Sequence, residues 1–232
     1  MLQDAVFNLQ SVLPLPLQLD SSNTQALEKA MRMYNGKAMI NSVNGKQSSM
    51  NEVFPLVQKY GGVVVCLCLD ENGIPETAKG RIAIAEKIIK TAESYGIDKK
   101  DLVVDALVMT ISTNKDNAKE TLKAVEYIRH ELGVGTVLGV SNISFGLPKR
   151  EAINTAFFTL ALKAGLSAGI INPLSESMMN AYYSYNALEG FDDNCTEYIE
   201  SVTQSANNNA SSGVTDLKTC LLYTSPSPRD CS

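Results

Sequence analysis

The sequence predicts an α/β fold built on one parallel sheet, and three observations predict it. Six apolar runs each stop on a short polar residue: Asp20, Asn41, Asp70, Asp105, Ser141 with Asn142, and Asn172. A segment of helical period follows each run. No hairpin signal interrupts the alternation. Strands that end alike and are each followed by a helix run parallel, so all six tips come to one sheet edge. That edge is where α/β folds place binding and catalysis. Carboxylates and amides gather there with almost no cationic side chains among them. Such a rim suits a neutral ligand rich in hydrogen-bond donors better than a phosphate.

Each element follows from local chemistry. Leu15-Pro16-Leu17-Gln18-Leu19 reads as a strand leading into Asp20, and Ser21-Ser22-Asn23-Thr24 supplies N-cap types for a helix over 25–34. Asn35-Gly36 closes that helix, because glycine tolerates the left-handed conformation. Ala38-Met39-Ile40 is the next strand, and a helix over 49–60 follows the Asn44-Gly45 turn. Val63-Val64-Val65-Cys66-Leu67-Cys68-Leu69 is apolar on both faces, as a strand covered on both sides must be. Ile82, Ala85, Ile89 and Ala92 mark one face of the next helix, which Gly96 stops. Leu102-Val103-Val104 is a strand ending at Asp105. Ala118, Leu122, Val125, Ile128 and Leu132 form an inward helical stripe stopped by Gly133. Thr136-Val137-Leu138-Gly139-Val140 leads to Ser141-Asn142, and a helix over 150–164, a strand over 168–171 and a helix over 176–188 complete the series. The spacing of the tips fits either a doubly wound sheet or a closed barrel. A closed (β/α)₈ barrel needs eight strands and about 250 residues, whereas six strands are visible here. Either the sheet is open or two strands are missing.

A chain of 232 residues with 44% hydrophobic content can bury one large core. The net charge of −5 argues against nucleic acid, because phosphate binding needs surplus Lys and Arg. No apolar stretch approaches the roughly 18 residues of a membrane span, and Met1-Leu2-Gln3-Asp4 carries no basic signal-peptide region. The five irregularly spaced cysteines are no disulfide framework and fit a reducing cytoplasm.

Among the candidate groups, Asp20 has capping as its bland role, yet Ser21, Ser22 and Asn23 already offer caps and leave it free to face the rim. Asn41 is balanced between turn former and ligand contact. Asp105 precedes Ala106-Leu107-Val108-Met109, which offers a buried carboxylate little local satisfaction, so a partner with paired N–H groups is expected there. Asp70-Glu71-Asn72-Gly73 reads as a turn. Cys66 and Cys68 share one strand face and read as core, since no histidine is near in sequence. His130, the only histidine, is predicted to point to solvent, which removes it from catalysis. Gly133-Val134-Gly135 precedes a strand, whereas dinucleotide-binding glycines follow one, so it is no nucleotide loop. No metal cluster is expected.

Several stretches together carry a resemblance: Leu19-Asp20-Ser21-Ser22-Asn23, Ile40-Asn41-Ser42-Val43, Gly73-Ile74-Pro75, Asp105, Leu138-Gly139-Val140-Ser141-Asn142-Ile143-Ser144-Phe145-Gly146-Leu147-Pro148, and Ile171-Asn172-Pro173-Leu174. The chain resembles the pterin-binding, methyltetrahydrofolate-using domain of cobalamin-dependent methionine synthase. It is also similar to methyltetrahydrofolate:corrinoid methyltransferases. The resemblance implies the α/β class of the (β/α)₈ TIM barrel, N-terminally truncated, with about six parallel strands present and the first two missing. It implies that Asp20, Asn41 and Asp105 hydrogen-bond the pterin, that Asn142 approaches the methyl-bearing nitrogen 5, and that Arg150 lies at the pocket. Asp105 is followed by Ala106 where many relatives have proline.

The implied function is a methyltransferase domain that binds 5-methyltetrahydrofolate and passes its methyl group to cob(I)alamin, toward methionine synthesis. The cobalamin would be carried by another domain or a corrinoid protein, since no cobalamin signature is visible here. The Cys/His zinc cluster for homocysteine, also not visible, would likewise sit elsewhere. The alternatives are a dihydropteroate synthase-like pterin enzyme, which needs an anion site, and a folate-binding module without turnover. Residues 1–206 are expected to be the incomplete barrel domain in a cytoplasmic protein. Residues 207–232 are expected to be linker followed by a non-native, disordered tail.

Overall fold

The structure, a computed structural model, describes the backbone of residues 1–209, with side chains through residue 203. The chain divides into two compact units, Met1–Met178 and Met179–Ser232. In the first, α1 (Leu2–Val12) precedes β1 (Gln18–Asp20), α2 (Thr24–Met33), β2 (Met39–Asn44), α3 (Gln47–Tyr60) and β3 (Val63–Leu67). Then come α4 (Ala78–Ser94), β4 (Leu102–Asp105), α5 (Asn117–His130), β5 (Gly135–Gly139), α6 (Arg150–Lys163) and β6 (Ala168–Ile170). Helix α7 (Glu176–Leu188) begins in the first unit and continues into the second, which also holds α8 (Thr196–Asn209).

All six strands are parallel and pair in chain order, β1-β2-β3-β4-β5-β6, forming an open, curled α/β sheet of the (β/α)₈ type. The six tips and their following helices therefore translate directly into six strands. Parallel pairing needs a crossover long enough to return to the starting edge, and each helix provides it. Strand β1 pairs only with β2 and β6 only with β5, so both remain edges among the described residues.

The core lies between the sheet and its helices. Val64, Val65 and Cys66 of β3 are buried on both faces, with Ile40, Val43, Leu102, Val104 and Leu138 beside them. Each large apolar side chain so buried contributes about 1.5–3 kcal/mol. Gly96 and Gly133 end their helices at φ 75° and 67°, conformations that cost a residue with a Cβ.

Two helical faces depart from their predicted settings. In α4 the buried side chains are Ala78, Arg81, Ile84, Ala85, Ile88, Ile89 and Ala92, while Ile82 is half-buried. In α5 the buried face is Asn117, Thr121, Ala124, Val125 and Ile128, while Ala118, Leu122 and Leu132 are half-buried. Both faces carry polar residues near their N-terminal ends, because Arg81 bonds Thr121 and Asn117 bonds the Thr110 carbonyl inside the fold. Hydrophobic periodicity is blind to that. Strand β2 also runs on to Asn44, past the predicted stop at Asn41, with a register irregularity between Asn41 and Val43. Helix α8 continues to Asn209, three residues into the stretch read as linker. The rest of the stretch read as linker and tail, 210–232, lies outside the described residues.

Candidate functional site

Strand β1 ends at Asp20, and the turn after it is capped by its own residues. Asn23 Oδ1 accepts the Ala26 amide at 3.0 Å, and Ser21 Oγ accepts the Asn23 amide at 3.1 Å. Asp20 is thereby released from capping and is exposed. Asn41 stands opposite it in the β1–β2 register, and Asn41 Nδ2 donates to Asp20 Oδ2 at 3.3 Å. The pair lines a cleft of about 350 Å³, shared with Ser21, Ser42, Ser49 and Glu52. Lys46 lines it too, a cation that the near-neutral rim read from the strand tips does not include.

Asp105 closes β4 and is 9% exposed. The sequence reading left it without a local partner, but the Leu107 amide donates to its Oδ1 at 2.8 Å, because Leu107 turns back at φ 62°. Burial pushes the carboxyl up to about 6 from an ordinary value of 3.8, while the Leu107 amide and the nearby Arg81 charge pull the other way. Its other oxygen, Oδ2, accepts no hydrogen bond from the described residues.

Arg81, which sequence reasoning passed over, sits behind Asp105 and is fully buried. Its Nε donates to the Pro75 carbonyl at 2.9 Å, and its Nη1 donates to the Leu107 carbonyl at 3.0 Å and to Thr121 Oγ1 at 2.6 Å. A signal was available. Arg81, Ala85, Ile88 and Ala92 follow steps of 4, 3 and 4, so the arginine occupies the apolar stripe.

Asn142 lies beyond the end of β5, within a short 3-10 turn over Val140–Ser144. A Cβ on Gly139 would come within 3.2 Å of Asn142 Nδ2, so the glycine leaves room for that amide above the strand end. Arg150, at the start of α6, holds the same turn. Its Nε donates to Ser144 Oγ at 3.0 Å, its Nη2 donates to the Ser141 carbonyl at 2.8 Å, and its guanidinium lies 4.6 Å from the Phe145 ring centre. Ser144 Oγ in turn donates to Asn154 Oδ1 at 2.7 Å. Arg150 is thus a fixed element of the Asn142 turn, not a free surface residue.

The five residues share the C-terminal edge of the sheet but divide into two groups. Asp20 and Asn41 touch, and Asn142 and Arg150 belong to one hydrogen-bonded turn. Asp105 sits between the groups and bonds to neither. Strand β3 separates it from β2, which places Asn41 and Asp105 roughly 10 Å apart along the sheet. Asp105, Asn142 and Arg150 do not line the cleft at Asp20.

The remaining candidates take the quieter roles expected of them. Asp70 Oδ1 accepts the Asn72 amide at 2.8 Å in a turn, and His130 is exposed. Cys66 and Cys68 are buried, and burial pushes the Cys66 thiol up to about 12 and the Cys68 thiol higher still. Asn172 Oδ1 accepts the Leu174 amide at 3.1 Å, making it a turn former ahead of α7. Among the described residues, no group of three His, Cys, Asp or Glu side chains is placed to hold a metal, and no helix is long and apolar enough to cross a membrane.

Comparison with known proteins agrees with this architecture. Methionine synthase of Mycobacterium tuberculosis is 34% identical over 179 residues, which cover 72% of this chain and 15% of that protein. This chain thus spans only a small part of that relative's length. The methylcorrinoid:tetrahydrofolate methyltransferase of Eubacterium limosum is 27% identical over 201 residues, covering 84% of this chain and 73% of that protein. Among solved structures, dihydropteroate synthase of Yersinia pestis aligns with a TM-score of 0.64 at 16% identity, covering 81% of this chain and 77% of that one. The Vibrio fischeri enzyme of the same name gives 0.65 at 17% identity, covering 81% and 73%. Those identities carry the fold alone. The family model of pterin binding enzymes matches residues 2–172, nearly the whole six-stranded unit, and the chain belongs to that family.

Proposed function

We propose that this chain binds 5-methyltetrahydrofolate at the strand-end rim and presents its methyl group to a cob(I)alamin carried by a partner domain or corrinoid protein. The observation that carries this reading is the pairing of hydrogen-bond acceptors along the rim of a pterin-family sheet. Asp105 offers a buried carboxylate with one oxygen open, and Asp20 with Asn41 offers a second polar group two to three strands away. A flat two-ring heterocycle with polar edges can bridge that interval. The pterin edge presents an amide-like N–H beside an amino group, and one carboxylate can accept from both.

Asn142 acts at the other end of the ligand. When the methyl group leaves, the C–N5 bond breaks and its electron pair stays on nitrogen 5, which takes up a proton. The Arg150–Ser141–Ser144 network fixes the turn that carries Asn142, and from there its amide stabilises the charge change at nitrogen 5. The corrinoid is the methyl acceptor and arrives from elsewhere; no residue of this chain is assigned to hold it.

The dihydropteroate synthase reading is weaker, because a pyrophosphate leaving group needs a cationic cradle. Arg150 directs Nε and Nη2 into its own loop, which leaves Lys46 as the cation at the Asp20 cleft. The test is calorimetric titration with 5-methyltetrahydrofolate, followed by transfer of its methyl group to added cob(I)alamin. Binding with transfer supports the proposal. Binding without transfer makes the chain a folate-binding module, and no binding removes the reading altogether.

A further inference from the structure

We propose that Arg81 is a positioning residue for Asp105, holding that carboxylate at the rim through the backbone of Leu107. Only the ligand-binding arm of this proposal rests on the pterin reading above. One residue joins the two charged groups: Arg81 Nη1 donates to the Leu107 carbonyl at 3.0 Å, and the Leu107 amide donates to Asp105 Oδ1 at 2.8 Å. Leu107 makes both contacts at φ 62°, a left-handed conformation that a leucine disfavours and that its surroundings must hold. The guanidinium is the group placed to hold it.

Arg81 is itself fixed from several directions. Pro75 ahead of α4 accepts from Nε, and Thr121 of α5 accepts from Nη1. Thr121 Oγ1 also lies 2.9 Å from the Asn117 carbonyl, and Asn117 Nδ2 donates to the Thr110 carbonyl at 2.8 Å. The segment between Asp105 and Asn117 is thereby tied to α4 at Leu107 and to α5 at Leu107 and Thr110.

A cation this buried serves more than packing. Its Nη2 has no hydrogen-bond partner among the described residues, and no carboxylate forms an ion pair with it. An apolar side chain would hold α4 against α5 without burying a charge. The charged and titratable groups that face the guanidinium are Asp105 from β4, Glu120 from α5 and the Cys68 thiol beyond β3. Glu120 is engaged by the Ala78 amide at 2.8 Å and Lys123 at 2.7 Å, and Cys68 stays protonated. That leaves Asp105 as the one of the three without a cationic partner or a bound proton to answer, and there the Arg81 charge, with the Leu107 amide, opposes the effect of burial on the carboxyl.

The experiment compares Arg81→Gln and Arg81→Lys in the full chain, each also in an Asp105→Asn background. The first readout needs no ligand: the carbon-13 titration of the Asp105 carboxyl, identified by its loss in Asp105→Asn. Arg81→Gln is expected to raise that midpoint by about one pH unit or more, and Arg81→Lys to raise it less, because the charge stays while Leu107 is no longer held. The second readout is tetrahydrofolate affinity. Arg81→Gln is expected to lower it by about tenfold or more when Asp105 is present and to change it little in Asp105→Asn. An unmoved midpoint, or equal losses in both backgrounds, overturns the proposal and leaves Arg81 a packing residue.

Should Arg81→Gln not fold, Arg81→Lys decides. One ammonium cannot span Pro75, Leu107 and Thr121 as the guanidinium fork does, so affinity must fall although the charge remains. Wild-type affinity in Arg81→Lys would overturn the proposal. If the wild type takes no tetrahydrofolate, the pterin reading falls, and the carboxyl titration still decides this one.

Discussion

Asp105→Asn is expected to gain stability relative to the wild-type, ligand-free protein as pH rises from 4 to neutrality, while weakening its hold on a pterin. The carboxyl titrates at about 6 in the fold, against an ordinary value of 3.8 that also describes the unfolded chain. Below pH 4 both states carry the proton, and the group adds nothing to stability. Between about pH 4 and 6 the unfolded chain gives up its proton while the native state keeps it, so native stability falls as pH rises. Above 6 the loss is complete. A displacement of about two pH units, at 1.36 kcal/mol for each, makes it about 3 kcal/mol.

Asparagine cannot ionise, yet its Oδ1 still accepts the Leu107 amide. The stability of the variant relative to wild type should therefore rise by about 3 kcal/mol between pH 4 and pH 7.5, whatever the absolute difference at either end. Urea unfolding at a series of pH values measures this. The ligand side runs oppositely. A donor-rich ligand needs the ionised carboxylate, so wild-type tetrahydrofolate affinity should fall about tenfold per pH unit below 6, and the variant should lack that dependence. At pH 7.5 the variant should bind more weakly by about 1.5–3 kcal/mol. A stability difference that is flat across pH 4–7.5 would refute the reasoning, because it would mean that Asp105 ionises as easily in the fold as out of it.

Asn142→Ala should slow methyl transfer to cob(I)alamin by about 10²-fold or more and leave 5-methyltetrahydrofolate affinity nearly unchanged, as stopped-flow and calorimetry would show. Arg150→Met should also lower the transfer rate more than the affinity, since it frees the Ser141 carbonyl and loosens the turn that carries Asn142. Asp20→Asn should weaken tetrahydrofolate by about tenfold in calorimetry, and wild-type binding would return Asp20 to a mere turn residue. Iodoacetamide at pH 8 should leave Cys66 and Cys68 unmodified in the folded protein, as peptide mass spectrometry would report, because burial holds both thiols protonated and out of reach.

The polar strand ends were legible because a parallel α/β unit repeats one local rule: an apolar run, a short polar stop, a capped helix. That rule is written in neighbouring residues. Asp20 and Asp105 announce themselves as strand ends, and the Asn23 cap, the Gly96 and Gly133 stops and the buried Val64–Cys66 segment follow from neighbouring residues alone, whereas Asn41 proves to lie inside β2. The relation between β4 and α4 is not written locally. Arg81 stands in the apolar stripe of its helix, but what it bonds is not visible until β4 and α5 are packed against it. Asn117 and Thr121 likewise look like an exposed first turn until their hydrogen bonds to Thr110, Arg81 and Leu107 are seen.

The sequence by itself therefore determined the class of fold, the parallel sense of its strands and the edge at which their polar ends gather, since these depend on periodicity and on residues a few positions apart. The spatial order of the strands stayed open between a doubly wound sheet and a barrel until the structure gave it. Only the tertiary structure decided which face each helix buries, that Asp105 has a partner in Leu107 and a raised titration point, and that Arg150 holds the Asn142 turn. Those outcomes depend on desolvation and on hydrogen bonds between residues distant in the chain. Neither exists until packing has removed the water.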